Sequence, residues 1–277
     1  MPIATNKTEG PSQILTFLGL ELDTIAEVVR IPLDKLTKCN SLIDELLSCK
    51  RCTLQKLQSV LGFLNFVCQV ILPGRAFLRR LYALTAKVAK PYHSIYLSVN
   101  AKEDLRLWKL FLSAHNGVTL YKEELFLSPE VRHIFTDSSK TLACGAIFGK
   151  EWFSLPWPSP WFCEQNITFL ELIPIVWAIE TWGQLLKNCY LWVHTDNLAL
   201  TFILNSQSAK EELVMKLVRR LVLSLLSNNI MFRAKHIPGY KNVLADHLSR
   251  LKIDNFRRLC PSASTYPSVT ANLPLVF

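Results

Sequence analysis

The chain has 277 residues, half of them hydrophobic, which is enough to bury two cores and excludes both a disordered polymer and a small cystine-stapled domain. Its 31 Lys and Arg against 22 Asp and Glu give +9 at neutral pH, a surplus that favours a polyanionic partner and lies mostly in the first 120 residues. No apolar run reaches the roughly 18 residues of a membrane span, and MPIATNKTEGPSQ lacks the apolar core of a signal peptide. The sequence therefore reads as that of a soluble, intracellular protein of the cytoplasm or nucleus, with no membrane partner.

The eight cysteines, at 39, 49, 52, 68, 144, 163, 189 and 260, are scattered and read as reduced thiols. Cys49 and Cys52, in CKRC, have the spacing of a metal knuckle, but no second Cys or His pair follows nearby, so no zinc site is expected.

In chain order, ILTFLGLELD followed by EVVRIP alternates apolar and polar residues around an acidic turn and predicts a β-hairpin from about Ile14 to Ile31. PLDKLTKCNSLIDELLS, TLQKLQSVLGFLNFVCQVI and AKEDLRLWKLFLSAH place apolar residues at three- and four-residue intervals and predict helices, with Thr53 capping the second. Arg75, Arg79, Arg80, Lys87 and Lys90 cluster in or beside LPGRAFLRRLYALTAKVAK, readable equally as a nucleic-acid contact or as ordinary helix surface. Residues 1–120 are thus expected to form a mainly helical module with a hairpin.

The pattern then changes. VRHIFTDSS, LACGAIFGK and EWFSLPW predict three strands, and NITFLELIPIVWAIETWGQLLK predicts a helix despite Pro174. CYLWVHTDN is a buried strand, LALTFILN and AKEELVMKLVRRLVLSLLSN are helices, NIMFRAKHI is a further strand, and a short helix capped by Asn242 follows the turn at Pro238 and Gly239. Three antiparallel-looking strands, a helix, then strand, helix, strand, helix describe an α/β domain with a mixed sheet over residues 121–255. Residues 256–277 are rich in Pro and Ser and read as a flexible tail.

Four acids occupy informative places: Asp137 at the end of the first of these strands, Glu171 in the first helix, Asp196 at the end of the fourth strand and Asp246 in the last helix. Residues beyond the strand ends of an open α/β sheet can converge in one crevice. Each acid also has an ordinary explanation, as turn former, solvated helix acid, helix cap or partner of a helix dipole. Glu171 resists this best, because Phe169, Leu170, Leu172 and Ile173 flank it and an unpaired carboxylate in apolar surroundings is costly. Four converging acids repel one another unless cations neutralise them, and hard oxygen ligands select Mg²⁺ or Mn²⁺ over zinc.

From Glu130 to Leu251 the sequence resembles the ribonuclease H domain of retrotransposon reverse transcriptases, the DIRS type most closely. The resemblance runs through FTDSS, TFLELIPIVWAIETW, VHTDN and HIPGYKNVLADHLSR, in the family's order, the last close to the gypsy-type ending. Upstream, FLGLELD is similar to the primer-grip hairpin and LQKLQSVLGFLNFVCQVILPGRAFLRRL to the thumb and connection region that follows the polymerase palm.

The resemblance implies a ribonuclease H-like, mixed five-stranded sheet with helices, and makes Asp137, Glu171, Asp196 and Asp246 the catalytic, metal-binding carboxylates. It makes His236 the mobile-loop histidine of proton transfer or product release, against the plainer reading of a turn histidine with a structural hydrogen bond. Asn197 matches a nucleic-acid-binding position, or else caps the following helix. Two Mg²⁺ ions, with Mn²⁺ able to substitute, are the implied cofactors of an endonuclease that hydrolyses the RNA strand of RNA–DNA hybrids, told apart by the 2′-hydroxyl. The implied partners are such a hybrid or another nucleic acid, and a complete reverse transcriptase; the oligomeric state stays open.

No Asp-Asp pair occurs in the chain, so the polymerase active site is absent, and the sequence is expected to be a fragment of an element or a host gene derived from one. Two alternatives stand beside this: a catalytically inactive, retroelement-derived nucleic-acid-binding protein, and a related exonuclease or transposase-type nuclease, which normally lacks the ADHLSR helix pattern.

Overall fold

The computed structural model describes residues 10–86, 88–114, 116 and 131–270. The chain divides into two compact units, Met1–Glu123 and Glu124–Phe277. That division, like the boundary expected near residue 120, falls outside the described residues, as does Lys87 of the basic cluster.

The first unit begins with an antiparallel meander, β1 (Ile14–Phe17), β2 (Leu20–Asp23) and β3 (Val28–Arg30). The expected hairpin is thus three strands, because Leu18 (φ 49°) and Gly19 (φ 82°) form a tight turn inside ILTFLGLELD. Positive φ at both central residues matches the twist of two antiparallel strands, and Gly19 supplies one of them without strain. Helix α1 (Leu33–Ser48) follows, and a short strand β4 (Arg51–Thr53) leads into α2 (Leu54–Val67). Thr53 caps α2 as expected, its side chain accepting from the Lys56 amide at 3.3 Å. A 3₁₀ turn, Leu72–Phe77, leads to α3 (Arg79–Thr85), β5 (Ser94–Tyr96), which pairs with β4, and α4 (Val99–Ala114). Trp108, Phe77 and Phe111 are fully buried in this unit's core. Of the basic cluster, Arg80 is held inside the unit: Nη1 donates to the Asn100 carbonyl at 2.7 Å and pairs with buried Asp104 at 3.2 Å.

The second unit is a five-stranded sheet in the order β10-β9-β6-β7-β8. Strands β6 (Arg132–Ser138), β7 (Ala143–Phe148) and β8 (Glu151–Pro156) are antiparallel neighbours, while β9 (Tyr190–Thr195) and β10 (Met231–His236) add in parallel on the other side of β6. This is the mixed, five-stranded sheet expected from the sequence. After β8 come α5 (Trp161–Glu164) and α6 (Ile167–Trp182), then α7 (Leu198–Ser206) and α8 (Glu212–Ser227) follow β9, and α9 (Val243–Ser249) and α10 (Ile253–Leu259) close the domain. Helix α6 is apolar around nearly its whole circumference because it is sandwiched, with β6 and β7 on one side and α8 on the other.

Residues 256–277, expected to be a flexible tail, are corrected for the part the structure describes. Phe256 is fully buried against Trp152 in a small core with Ile147, Leu248 and Ala263. Beyond it, the indole of Trp152 donates to the Ser264 carbonyl at 2.8 Å, the indole of Trp182 to Ser268 Oγ at 3.0 Å, and the hydroxyls of Ser264 and Ser268 both donate to the Glu151 carboxylate. Composition suggested mobility, but two tryptophans of the domain take the serines as partners; residues 271–277 lie outside the described residues. Among the described residues no helix is long and apolar enough to cross a membrane.

Candidate active site

The strand β6 delivers Asp137 one residue before its end, directly opposite Gly145 in the antiparallel ladder with β7. That glycine is what lets α9 come close. A Cβ on Gly145 would collide with the side chain of Leu248, so any other residue there would push away the helix that carries Asp246. With the helix seated, the buried hydroxyl of Ser249 donates to the Asp137 carboxylate.

The start of α9 is fixed by a second device. Asn242 occupies the N-cap position but makes no side-chain cap bond. Its Nδ2 instead donates to the Thr136 carbonyl at 2.9 Å, from a position only 3 % exposed. The expected capping role is thereby corrected: the side chain ties the helix to the strand residue preceding Asp137.

Asp196 lies just past the end of β9 and is exposed. The loop after β10 folds over it: His236 Nε2 lies 3.1 Å from the Asp196 carbonyl, which can only accept, so this nitrogen carries the proton. The Ile237 amide donates to the Thr195 carbonyl, and a Cβ on Gly239 would stand 3.2 Å from Asp196 Oδ2. The His236-Ile237-Pro238-Gly239 segment thus brings its backbone within reach of the acid.

Glu171 is on α6, within two turns of its N-terminus, where Asn166 caps the helix by accepting from the Thr168 amide at 2.9 Å. Burial pushes its carboxyl up to about 8, the negative charges of Asp196 and Asp137 push the same way, and hydrogen bonds from Asn197 and Thr195 oppose them. Its Oε2 is buried without a hydrogen-bond partner. Asp137 is raised too, first by burial and then by the charges of Asp196 and Asp246, while Ser249 and Arg250 pull it down. Asp246 itself is held by Arg250, four residues on at the C-cap of α9, at 2.6 Å.

The structure therefore sets Asp137 in the field of Asp196 and Asp246, and Glu171 in the field of Asp196 and Asp137, which puts the four acids in one neighbourhood. His236 sits at its rim through the Asp196 backbone. Asn197 performs the capping role, its Oδ1 accepting from the Leu200 amide at 2.9 Å, while its Nδ2 lies 3.4 Å from Thr168 Oγ1. Among the described residues, no three His, Cys, Asp or Glu side chains stand close enough together to hold a metal ion as they are now arranged. At two of the four acids, the Ser249 hydroxyl and the Arg250 guanidinium each take one carboxylate oxygen.

The chemistry of the donor set nonetheless fits a divalent cation. It offers hard carboxylate oxygens, two of the acids are raised by burial and mutual repulsion, and one oxygen is unpartnered in a buried place. Sequence reading missed Gly145, Ser249 and the strand-tying role of Asn242. Ser249 and Asn242 were in plain view in NVLADHLSR, and Gly145 in LACGAIF, but their partners lie about 100 residues away in the chain and no local spacing reveals them.

Residues 163–225 match the family model of the RNase H-like domain found in reverse transcriptase. The matched stretch holds Glu171 and Asp196. Among solved structures, the chain is similar to the ribonuclease H1 LC11, isolated from compost by a metagenomic approach, at 19% identity over 45% of this chain and 96% of that one, with a TM-score of 0.36. It is similar to ribonuclease H1 of the archaeon Halobacterium salinarum at 14% identity, over 46% of this chain and 99% of that one, with a TM-score of 0.36. A longer but looser likeness is to a foamy viral protease-reverse transcriptase in complex with RNA/DNA hybrid, at 13% identity, over 80% of this chain and 29% of that one, with a TM-score of 0.33. No curated protein sequence matches the chain.

Proposed function

We propose that the unit Glu124–Phe277, a ribonuclease H-like domain similar to those of reverse transcriptases, hydrolyses the RNA strand of RNA–DNA hybrids with divalent cations held by Asp137, Glu171, Asp196 and Asp246. The single observation that carries the reading is Glu171: a half-buried carboxyl beside two other acids, raised to about 8 and left with a buried, unpartnered oxygen, is poorly placed for stability and well placed for a cation. When bound, two Mg²⁺ ions activate a water and stabilise the leaving oxygen in phosphodiester hydrolysis.

The chain's own residues supply the rest. Asp137 and Asp196, at adjacent strand ends of a parallel pair, give a rigid base on which the scissile phosphate can be oriented. Arg250 donates to one oxygen of Asp246 and the Ser249 hydroxyl to one oxygen of Asp137, so a cation held by these acids would either compete with those donors or use the remaining oxygens. His236 Nε2 donates to the Asp196 carbonyl, which holds the ring at the site's rim; there a histidine carrying protons on both nitrogens would give one to the leaving oxygen and keep the other. The basic surplus of the chain supplies phosphate affinity that is independent of the chemistry.

One observation favours a second reading, a nucleic-acid binder that no longer cuts: the four acids are not gathered into a ready ligand set. A single assay separates the two. Purified full chain with an end-labelled RNA–DNA hybrid is expected to cut the RNA strand with Mg²⁺ or Mn²⁺ and not with chelator, and Asp196→Asn is expected to abolish cutting while hybrid binding persists. Tight hybrid binding without cutting across a manganese and pH series selects the binder.

A further inference from the structure

We infer that Ser138 and Pro174 are a matched pair of positioning residues that lock the strand carrying Asp137 to the helix carrying Glu171; the inference rests on the reading of those two acids as one site. A proline inside an α-helix has no N–H for the carbonyl four residues earlier. For Pro174 that carbonyl belongs to Leu170, which is fully buried, so water is not at hand to replace the missing donor. The replacement comes from the sheet: Ser138 Oγ donates to the Leu170 carbonyl at 2.9 Å, from a position 8 % exposed.

The consequence lies in which residues are joined. Ser138 follows Asp137 in β6, and Leu170 precedes Glu171 in α6. Side chains alternate along a strand, so Asp137 turns to one face, where Ser249 meets it, and Ser138 to the other, where α6 lies. One hydrogen bond therefore fixes the end of the strand against the turn of helix that presents Glu171. A helix without a proline would satisfy Leu170 itself and leave Ser138 no such task. With Pro174 the helix cannot close its own ladder, and the open carbonyl becomes a specific socket for the strand.

The two residues should accordingly behave as one unit under mutation. Four full-length proteins, wild type, Ser138→Ala, Pro174→Ala and the double variant, are compared for hybrid cleavage, for Mn²⁺ binding by calorimetry and for metal-free melting. Ser138→Ala is expected to lower kcat on the order of tenfold, with KM changed less than about twofold, because the acids shift while phosphate contacts persist. It should also weaken Mn²⁺ binding and lower the melting temperature by about 2–8 °C, as an unpaired buried carbonyl does. Adding Pro174→Ala is expected to recover at least half of each loss on a logarithmic scale, since replacing the proline restores an N–H for the Leu170 carbonyl. Ser138→Thr, which keeps the hydroxyl, should stay close to wild type even if Ser138→Ala folds poorly.

Additive effects across the four proteins overturn the pair. Coupling in melting alone, with kcat and Mn²⁺ binding unmoved by Ser138→Ala, overturns the positioning role. If wild type itself cuts nothing, the reading of the site fails, and the pair is then decided by Mn²⁺ binding and melting: coupled losses support it and additive ones overturn it.

Discussion

Helix α6 carries one acid near each end, and the two live in opposite circumstances. Glu180, towards its C-terminus, takes a two-pronged ion pair from Arg220 of α8, at 2.6 Å from Nε and 2.9 Å from Nη2, with Ser224 nearby. Glu171, nearer the N-terminus, has no ion-pair partner among the described residues, an unpartnered oxygen, and two other acids for company. The first unit pairs its acids in the way Glu180 is paired: buried Asp104 with Arg80, and buried Asp23 and half-buried Glu21 with Arg30. An acid paired with a buried or half-buried arginine is accounted for by the fold; Glu171, flanked by other acids and without an ion pair, is the one that the proposed function accounts for.

The largest expected effect breaks that contrast at its functional end. Glu171→Gln keeps size and removes the charge, and should lower hybrid cleavage by about 10²-fold or more with hybrid affinity nearly unchanged. Glu180→Gln should leave the cleavage rate within about twofold and instead destabilise the protein by roughly 1–3 kcal/mol, because Arg220 is left partly buried without its carboxylate. Rate measurements and denaturant melts on both variants check this; equal losses of rate would erase the distinction between the two acids.

A smaller effect follows from the proton on Glu171. Its carboxyl titrates at about 8 in the folded protein, far above an ordinary glutamate. The folded state therefore holds a proton that the unfolded state has released, and the associated stability is complete below the unfolded value near 4.5 and lost as pH rises through 8. Metal-free protein is expected to melt progressively lower from pH 5 to pH 8.5, and Glu171→Gln to flatten that decline, with Asp137 contributing in the same direction. The gain of the variant at pH 8.5 should be on the order of a few kcal/mol at most, since the side chain retains partial access to solvent. A variant that melts with the wild-type pH profile would show that Glu171 is not the buried acid.

What the sequence revealed depended on the range of the interaction. The alternation of VRHIFTDSS and LACGAIFGK, the length of NITFLELIPIVWAIETW and the cap at Thr53 are local signals, and the elements formed where these signals put them. The position of the acids at strand ends and in helices was legible for the same reason. Illegible were interactions that need the fold before they exist: Gly145 under Leu248, Ser249 on Asp137, and the serines of the C-terminal segment on Trp152 and Trp182. The meander at β1 and β2 escaped because Leu18, a poor residue for positive φ, takes that conformation at an exposed turn where its side chain has room. Asn242 looked like a helix cap because its residue type suits one; a buried strand carbonyl competed for the same amide and won.

The smallest expected effect concerns Arg250, the only basic side chain that ion-pairs with one of the four acids among the described residues. The pair with Asp246 lies within one helix at an i, i+4 spacing, with both side chains well exposed, so its worth to stability is at most about 0.5 kcal/mol. Arg250→Ala should therefore move the melting temperature by no more than about 2 °C. Its effect on Mn²⁺ is of the opposite kind: the guanidinium occupies an oxygen of Asp246 and its positive charge also acts on Asp137, so removing it lifts a resident competitor. A unit charge a few ångströms from a divalent cation in well-solvated surroundings is worth about 2 kcal/mol before screening, which predicts Mn²⁺ binding up to about thirtyfold tighter at low salt, with the gain shrinking as salt rises. Calorimetric titration of wild type and variant at low and moderate salt measures it. Tighter binding places Arg250 with Arg30, Arg80 and Arg220 as a counter-charge to an acid, but one the cation is built to displace; weaker binding would mean that the guanidinium holds Asp246 in position for the cation.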